Sequence, residues 1–444
     1  MIRIFKNGDI FTKLSYLICG LSNMVRGQIV KGLSFLLIEV AYFYYMATTG
    51  VKDLTKIGTL GTTQQGMVFD EKQGIMVMTQ GDNSMLILLF GVITVVLTFT
   101  FIAFWAVSIY SGEQARLAAV SGKKVPKLKD DLKSLLNDNI YKLFLFIPVF
   151  GILTFTVMPL IYMILMAFTN YDVNHQPPGN LFTWVGMDNF KALISSTNVL
   201  SDTFWPILGW TLCWGFIATF SCYFGGIFLA MVINSKGILF KKAWRTIFVM
   251  TMAIPSFISL LVVKTMLGKN GIINVLLKNW GFVTDSVPFL TGPLSAKLTV
   301  IVVNMWVGIP VTMLMVSGIH MNIPGELYER PKIDGANPVK TFTKITFPYM
   351  LHVTTPYLIT NLIGNFNNFG VIYFLTGGEP LTLEYYKGAG KTDLLVTWLY
   401  KLTNDSKDYN LAATIGIVIF IISATFSLIT YSRSKAVKDE EGFM

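Results

Sequence analysis

The chain has 444 residues, of which 53% are hydrophobic and only 14% are charged. Soluble domains usually carry about 25% charged residues, so this composition excludes an ordinary globular protein whose main solvent is water. The formal charge of +10 would suit nucleic acid or anionic lipid as a partner, and the positions of the basic residues along the chain distinguish these two classes.

A helix needs about 20 mostly apolar residues to cross a hydrocarbon core about 30 Å thick, and eight stretches of the chain are candidates. We predict an all-α integral membrane protein, because a lipid-exposed backbone must satisfy its own hydrogen bonds. The first stretch is short and contains Glu39, so an interfacial helix remains an alternative there. The predicted spans are residues 32–48, 85–110, 143–168, 206–234, 246–268, 297–319, 351–376 and 410–432.

Residues 1–31 mix basic and apolar side chains and lack a small-residue cleavage site. This pattern favours an amphipathic segment at the membrane surface over a cleaved signal. The linker at 111–142 carries a second basic run, which we interpret as a surface facing anionic membrane lipid. We therefore predict an N-terminal unit at 1–142, a transport core at 143–432 and a tail at 433–444.

The basic residues alternate from loop to loop. Five segments carry 23 of the 35 Lys and Arg residues, and the intervening loops carry 10. Cytoplasmic loops are enriched in Lys and Arg, so the basic segments are predicted to lie inside the cell, with both termini cytoplasmic and the chain in the plasma membrane. Membrane topology explains the net charge, and no nucleic-acid partner is predicted. The basic segments are 1–31, 111–142, 235–245, 320–349 and 433–444.

The cysteine and histidine positions do not form a pattern that binds metal or performs catalysis. Two of the three cysteines, Cys213 and Cys222, lie in one predicted span, and the three histidines are scattered. No disulfide, metal site or catalytic residue is predicted. The run at 387–392, Lys-Gly-Ala-Gly-Lys-Thr, resembles the end of a phosphate-binding loop, but Tyr385 stands where that motif requires glycine. We therefore predict that this chain binds no cofactor.

Two predicted spans carry polar stripes. In the seventh, Asn361, Asn365 and Asn368 share one helix face at i, i+4 and i+7. Amides are costly in lipid, so these must face other helices or a wet cavity, and they match the hydroxyls of a sugar. Hydrogen bonding between helices is the alternative role. Because the spans contain almost no ionisable groups, the permeant should be neutral and polar.

The cytoplasmic loop at 323–348 is predicted to form a helix, a turn and a second helix. Asp334-Gly335 is a turn dipeptide, and Asn337-Pro338 supplies an N-cap followed by a favourable first helical residue. Apolar residues give both short helices an apolar side, which suits docking into a groove of a partner protein. A hairpin lying on the membrane is the alternative. The apolar residues are Leu327, Ile333, Val339, Phe342 and Ile345.

The same loop resembles the EAA loop, by which permease subunits of ATP-binding-cassette importers engage their ATPase subunits. The residues that carry this resemblance, and the implied coupling role, are Glu329, Asp334, Gly335, Ala336, Ile345 and Pro348. The sequence departs from the pattern at Arg330 and Pro331, where the family usually has alanines. A proline inside a helix costs about 3 kcal/mol, so the first short helix is predicted to be kinked or shortened near Tyr328.

Further stretches at 158–171, 304–310, 365–369 and 392–400 are similar to the larger membrane subunit of maltose and maltodextrin importers, the MalF-like permeases. This resemblance covers about 143–434 and implies a six-helix permease core. It also implies a second permease subunit, two ATPase subunits that use ATP and Mg, and an extracellular solute-binding protein. The implied substrate-binding residues are Asn304, Val307, Gly308, Val311, Asn361, Gly364, Asn365 and Asn368.

The implied substrate is a neutral oligosaccharide, with maltose or maltodextrin first. Gly364 and Val311 stand where the family has a bulky aromatic residue and a tyrosine, so a roomier site for longer or different oligosaccharides is predicted. Raffinose-type sugars and galacto-oligosaccharides remain alternatives. A secondary sugar transporter is a further alternative, although such a protein would be expected to carry intramembrane charges.

Overall fold

The computed structural model describes residues 1–433 apart from short gaps. The chain divides into two compact units, Met1–Gly186 and Met187–Met444, and each is described separately. The functional boundary predicted at residue 142 stays a prediction. The gaps are residues 71–73, 79, 127, 196–197, 236, 322–326, 328, 330–332 and 334.

The prediction of an all-α membrane protein is confirmed. Within the described residues, seven helical segments are long and apolar enough to cross a bilayer. They include the first predicted span, where Glu39 is buried with 7% of its surface exposed. The seven segments are Ile29–Ile57, Ser84–Val120, Ile140–Met166, Val199–Asn234, Ser256–Asn279, Pro293–Ile319 and Tyr409–Ser432.

Two predicted spans are interrupted. The span predicted at 246–268 is broken at Ile254, whose backbone is extended before Pro255, as expected because proline disfavours a helical residue before it. The span predicted at 351–376 consists of two helices separated at Asn367 and Asn368. The Asn368 side chain accepts a hydrogen bond from the Val371 N–H and so starts a new helix.

The first unit is mostly helical. Its π-helical turns, Met46–Gly50 and Leu153–Val157, join α4 to α5 and α8 to α9 without a break. The two strands pair antiparallel between the first two predicted spans. The elements are α1 (Ile2–Asn7), α2 (Ile10–Leu14), α3 (Leu21–Val25), α4 (Ile29–Tyr45), α5 (Val51–Ile57), β1 (Met67–Asp70), β2 (Ile75–Met78), α6 (Ser84–Val120), α7 (Leu128–Leu136), α8 (Ile140–Ile152) and α9 (Met158–Met166).

Polar contacts fasten the amphipathic N-terminal segment to α4 and α6. The Glu39 carboxylate on α4 accepts a hydrogen bond from the Cys19 N–H at 2.7 Å, and the Ser108 hydroxyl on α6 accepts one from the Gly20 N–H at 3.0 Å. In the last turn of α5, Lys56 forms an ion pair with Asp82 at 2.5 Å. Buried polar groups require such partners, and this requirement accounts for the carboxylate within the first span.

The regular elements described in the second unit are helices, apart from an isolated β-bridge between Leu381 and Gly390. The elements are α10 (Asp188–Ile194), α11 (Val199–Asn234), α12 (Lys241–Ala253), α13 (Ser256–Leu267), α14 (Ile272–Asn279), α15 (Pro293–Met321), α16 (Pro338–Thr341), α17 (Phe347–Phe366), α18 (Phe369–Leu375), α19 (Leu395–Asn404) and α20 (Tyr409–Arg433). A π-helical turn, Phe342–Thr346, joins α16 to α17.

Helix α11 is the centre of the second unit and packs against α15 and α17. Glycines allow the close approach to α15: a Cβ on Gly226 would lie 2.5 Å from the Thr312 Cβ, and one on Gly308 would lie 2.6 Å from the Cys222 Sγ. Small residues at helix interfaces are typical of membrane bundles, where close packing drives helix association.

The segment between α18 and α19 is held against α11. The Trp210 indole N–H donates to the Thr392 carbonyl at 3.2 Å, and the Leu395 N–H donates to the Thr211 hydroxyl at 3.0 Å. Asp393, fully buried, pairs with Lys401 at 2.7 Å. These bonds fix the start of α19 beside the end of α18.

Candidate functional site

A chain of hydrogen bonds runs along one face of α17. The Asn361 amide donates to the Tyr357 hydroxyl at 2.9 Å, and the Asn365 amide donates to the Asn361 side-chain oxygen at 2.9 Å. The chain continues across the helix break, because the Asn368 amide donates to the Asn365 side-chain oxygen at 3.3 Å. We call Tyr357, Asn361, Asn365 and Asn368 the amide network.

The amide network is tied to two other helices. Asn365 uses its second amide N–H for the Thr219 hydroxyl on α11, at 2.9 Å, and its main-chain carbonyl accepts from the Trp214 indole N–H at 3.1 Å. The Tyr357 hydroxyl lies 3.2 Å from the Thr312 hydroxyl on α15. The network therefore joins α11, α15 and α17, and the asparagines do form hydrogen bonds between helices, the role given above as the alternative to sugar binding.

The geometry leaves some amide groups available to a ligand. Asn365 is 7% exposed, and its side-chain NH2 group donates to Thr219 and to Asn361. Asn365 therefore positions the amides of Asn361 and Asn368 and has no free N–H for a ligand. Asn361 and Asn368 are half-buried and each uses one amide N–H in the network. Since an amide carries two N–H donors and a carbonyl acceptor, the network is a neutral, preorganised set of donors and acceptors.

The structure divides the predicted residues of α15 into two groups. Asn304 is buried, and its amide lies 3.5 Å from the Cys222 Sγ on α11, where Gly308 also packs. Val307 is half-buried and Val311 is exposed, so these two lie on a more open side of the helix. Asn304 and Gly308 therefore serve helix packing in this structure, and a role of the four residues in substrate binding stays a prediction.

Gly364 on α17 is exposed, and a Cβ built there would meet no atom within 4 Å. The space that the sequence predicts beside the asparagines is therefore present at this position. Sequence reasoning missed Tyr357 and Thr219. Tyr357 stands four residues before Asn361, so extending the same i, i+4 stripe would have found it, whereas no local pattern singles out Thr219 among the other residues of α11.

The described part of the coupling loop agrees with the predicted turn and cap. Gly335 has a φ of +68°, which glycine adopts without strain. The Asn337 side chain accepts from the Lys340 N–H at 2.7 Å, and Pro338 is the first residue of α16. The second short helix is not separate, because α16 runs through the π-helical turn into α17.

Three apolar side chains of this loop face solvent: Leu327, Ile333 and Val339 are 42%, 84% and 68% exposed. Glu329 and Pro348 are exposed, and Ala336 and Ile345 are half-buried. The remaining coupling residue, Asp334, and the predicted kink at Tyr328, Arg330 and Pro331 lie outside the described residues. The loop thus presents these three apolar side chains on its surface, where no other described residue of this chain covers them.

A bundle of long apolar helices with a neutral polar network between its central helices defines a multi-pass membrane permease. The chain belongs to the family of binding-protein-dependent transport system inner membrane components, whose model matches residues 222–437. The resemblance identified from the sequence is thereby confirmed.

Related proteins match almost the whole chain. It is 32% identical over 433 residues to the maltodextrin transport system permease protein MdxF of Bacillus subtilis (strain 168), covering 96% of this chain and 95% of the relative. It is 32% identical over 427 residues to the galactooligosaccharides transport system permease protein GanP of the same organism, covering 96% and 97%. The similarity therefore includes the N-terminal unit as well as 143–434.

A solved structure supports the fold. A chain of a bacterial ABC transporter involved in the import of the acidic polysaccharide alginate superposes with a TM-score of 0.56 at 24% identity. The match covers 68% of this chain and 98% of that chain. It shows a shared permease fold.

Proposed function

We propose that this chain is a permease subunit of an ATP-binding-cassette importer for a neutral oligosaccharide, with maltodextrin as the first candidate. The amide network is the observation that carries this proposal. Its donors and acceptors carry no charge, and Asn361 and Asn368 are partly accessible. Buried amides that match hydroxyl groups give a sugar site its specificity, because a ligand that lacks the hydroxyls leaves them unpaired.

The substrate would bind along the amide network and the open side of α15. We assign Asn361, Asn368, Gly364 and Val311 to direct contact, and Asn365 to positioning of the other two amides. The printed functions of the relatives support an oligosaccharide: MdxF is named for maltodextrin and GanP for galactooligosaccharides. GanP is as similar to this chain as MdxF, so a galactooligosaccharide is the second candidate.

ATP hydrolysis would take place on two separate ATPase subunits, which bind ATP and Mg. The exposed apolar side chains Leu327, Ile333 and Val339 would dock into these subunits, and their movement would drive alternating access of the sugar site. A second permease subunit and an extracellular solute-binding protein would complete the importer. Among solved structures, a bacterial alginate ABC transporter was crystallised with a pentasaccharide-bound periplasmic protein.

Both termini would lie in the cytoplasm of a cell whose plasma membrane holds the chain. The distribution of Lys and Arg supports this orientation. Termini on the same side require an even number of crossings, so the broken pair α17 and α18 would make the eighth. Cysteines introduced singly at exposed positions, labelled from one side of the membrane, test this topology.

Reconstitution tests the function. The chain would be placed in liposomes with the second permease, the ATPase pair and the solute-binding protein of the same transporter, and uptake of labelled maltotetraose would be measured. We expect uptake that requires ATP and every subunit. Uptake of galactotetraose but not of maltotetraose would favour the second candidate. Uptake of sugar by this chain alone, without the other subunits, would instead establish a secondary transporter.

A further inference from the structure

A row of aromatic rings begins where the amide network ends. Phe369 follows Asn368 directly at the start of α18, and its ring stacks on that of Tyr373 with centroids 4.7 Å apart. The ring of Tyr400 on α19 lies 5.0 Å from Phe369 and 5.2 Å from Tyr373. The row continues in the other direction to Phe374, whose ring centroid lies 5.3 Å from that of Tyr373. It ends at Phe257 on α13, whose ring centroid lies 5.9 Å from that of Phe374.

The ring row is partly open. Tyr373 is 37% exposed and Phe257 is 45% exposed, while Phe369 and Tyr400 are half-buried. Rings that served only as core would be covered, as Trp214 and Trp398 are in this unit. The bonds that hold the start of α19 against α11 also fix the position of Tyr400, so three helices present the rings at defined spacings.

Two cavities are lined by residues close to the row in the chain, although none of the five rings lines either cavity. One, of about 430 Å³, is lined by Lys264 at the end of α13, by Leu375 directly after Phe374, and by Glu379. The other, also about 430 Å³, is lined by Lys264 and by Lys401, the residue after Tyr400. The C-terminal ends of α13 and α18 therefore border polar cavities on the side that the charge distribution predicts to be extracellular. The rings of α18 lie along that helix between Asn368 of the amide network and the cavity-lining Leu375.

We propose that the ring row is a stacking surface for sugar rings, on which an oligosaccharide extends outward from the amide network. The proposal rests on the proposed function. The face of a sugar ring carries C–H groups and packs on the face of an aromatic ring, while the hydroxyls at its edge remain free for water or polar side chains. The rings would thus select oligosaccharides by their length, and the amide network would select them by the arrangement of their hydroxyl groups.

The reconstituted importer tests the proposal with maltose, maltotetraose and maltoheptaose as substrates. We expect Tyr373→Leu and Tyr400→Leu to raise KM for maltoheptaose about tenfold and to change KM for maltose less than twofold. Tyr373→Phe keeps the ring and should retain the wild-type KM for each sugar. A matched control is Phe220→Leu, which removes an exposed ring from another stacked row on α11.

The outcomes separate this proposal from the proposed function. In one outcome, the wild-type importer takes up maltodextrins while KM in the leucine variants is unchanged, or changes equally for every maltodextrin length. That result would overturn the proposed stacking surface and leave the proposed function standing. If the wild-type importer takes up galactooligosaccharides instead, the same comparison of short and long chains applies to that series. Uptake of neither series by the complete wild-type importer would overturn both proposals.

Discussion

The side-chain amide of Asn365 donates to the Thr219 hydroxyl at 2.9 Å, although the two residues are 146 positions apart in the chain. The same amide donates to Asn361, so one side chain fixes both the contact between α11 and α17 and the orientation of a proposed sugar ligand. Interhelical hydrogen bonds in membranes contribute about 0.6–2 kcal/mol each.

Replacement of Asn365 by alanine should therefore lower sugar uptake about tenfold, because Asn361 and Asn368 both lose a partner that orients them. Uptake by the reconstituted importer is the measurement, with assembly checked by co-purification. Asn367→Ala is the matched control, since the Asn367 amide is exposed and bonds only locally to the Ile363 carbonyl. Normal uptake by an assembled Asn365→Ala importer would contradict the site.

Addition of a methyl group at Gly308 should destabilise the second unit. Its Cβ would lie 2.6 Å from the Cys222 Sγ, and overpacking of this kind costs about 1–3 kcal/mol. Thermal unfolding of the detergent-solubilised protein should show a lower midpoint for Gly308→Ala, and Cys222→Ala in the same chain should restore it. Gly318→Ala on the same helix, where the new Cβ meets nothing within 4 Å, should have little effect.

An aromatic residue at Gly364 should fit the fold and narrow the site. Because a Cβ there meets no atom within 4 Å, Gly364→Phe should unfold at the wild-type temperature. It should also lower uptake of maltoheptaose more than uptake of maltose. Gly364→Ala adds only a methyl group and should behave like wild type. An equal effect of Gly364→Phe on both sugars would argue against a size-limiting role for this position.

A charge at Ile333 should uncouple the permease from its ATPase subunits without harming its fold. The Ile333 side chain is 84% exposed, so Ile333→Asp removes little packing within the chain but places a carboxylate in an apolar contact. Co-purification with the ATPase subunits and sugar-stimulated ATP hydrolysis should both fall. Ile194→Asp, at a similarly exposed apolar position on α10, should leave both intact, and a similar loss in that variant would refute the docking assignment.

Stability of the first unit should depend on Asp82 in acid. The hydrogen bond from Lys56, with those from the Thr62 and Thr63 main chain, holds the pKa of Asp82 at about 2, against about 3.9 in an unfolded chain. The contribution is fully present above about pH 4 and is lost as the pH falls toward 2. Thermal midpoints measured between pH 5 and 2 should decline less for Asp82→Asn than for the wild type; identical slopes would count against this ion pair.

The helices were predictable because a membrane span is a local signal: a long apolar run is sufficient. The turn at Gly335 and the cap at Asn337 were predictable for the same reason, since both depend on neighbours within four residues. The break at Asn367 was not anticipated. The spacing of the three asparagines predicts one stripe on a continuous helix. In the structure Asn368 instead caps α18, and its side chain contacts Asn365 from beyond the end of α17.

The partners of the amide network could not be read from the sequence. Helical spacing shows that Asn304 and Gly308 share a face, but it does not tell which neighbouring helix covers that face. Close packing of α11 on α15 directs both residues toward Cys222. Thr219 and Thr312 likewise gain their role from contacts between segments that are distant in the chain.

The uninterrupted passage from α16 to α17 places the loop proposed for docking and the proposed sugar site on one continuous helix. At 1.5 Å per residue, Val339 and Asn361 are separated by about 33 Å along a single helical rod. Pro356 withdraws one main-chain N–H from the middle of this rod and marks where it can flex. A tilt imposed on the loop would therefore reach the amides as a displacement of their helix, with no chain of side-chain rearrangements between them.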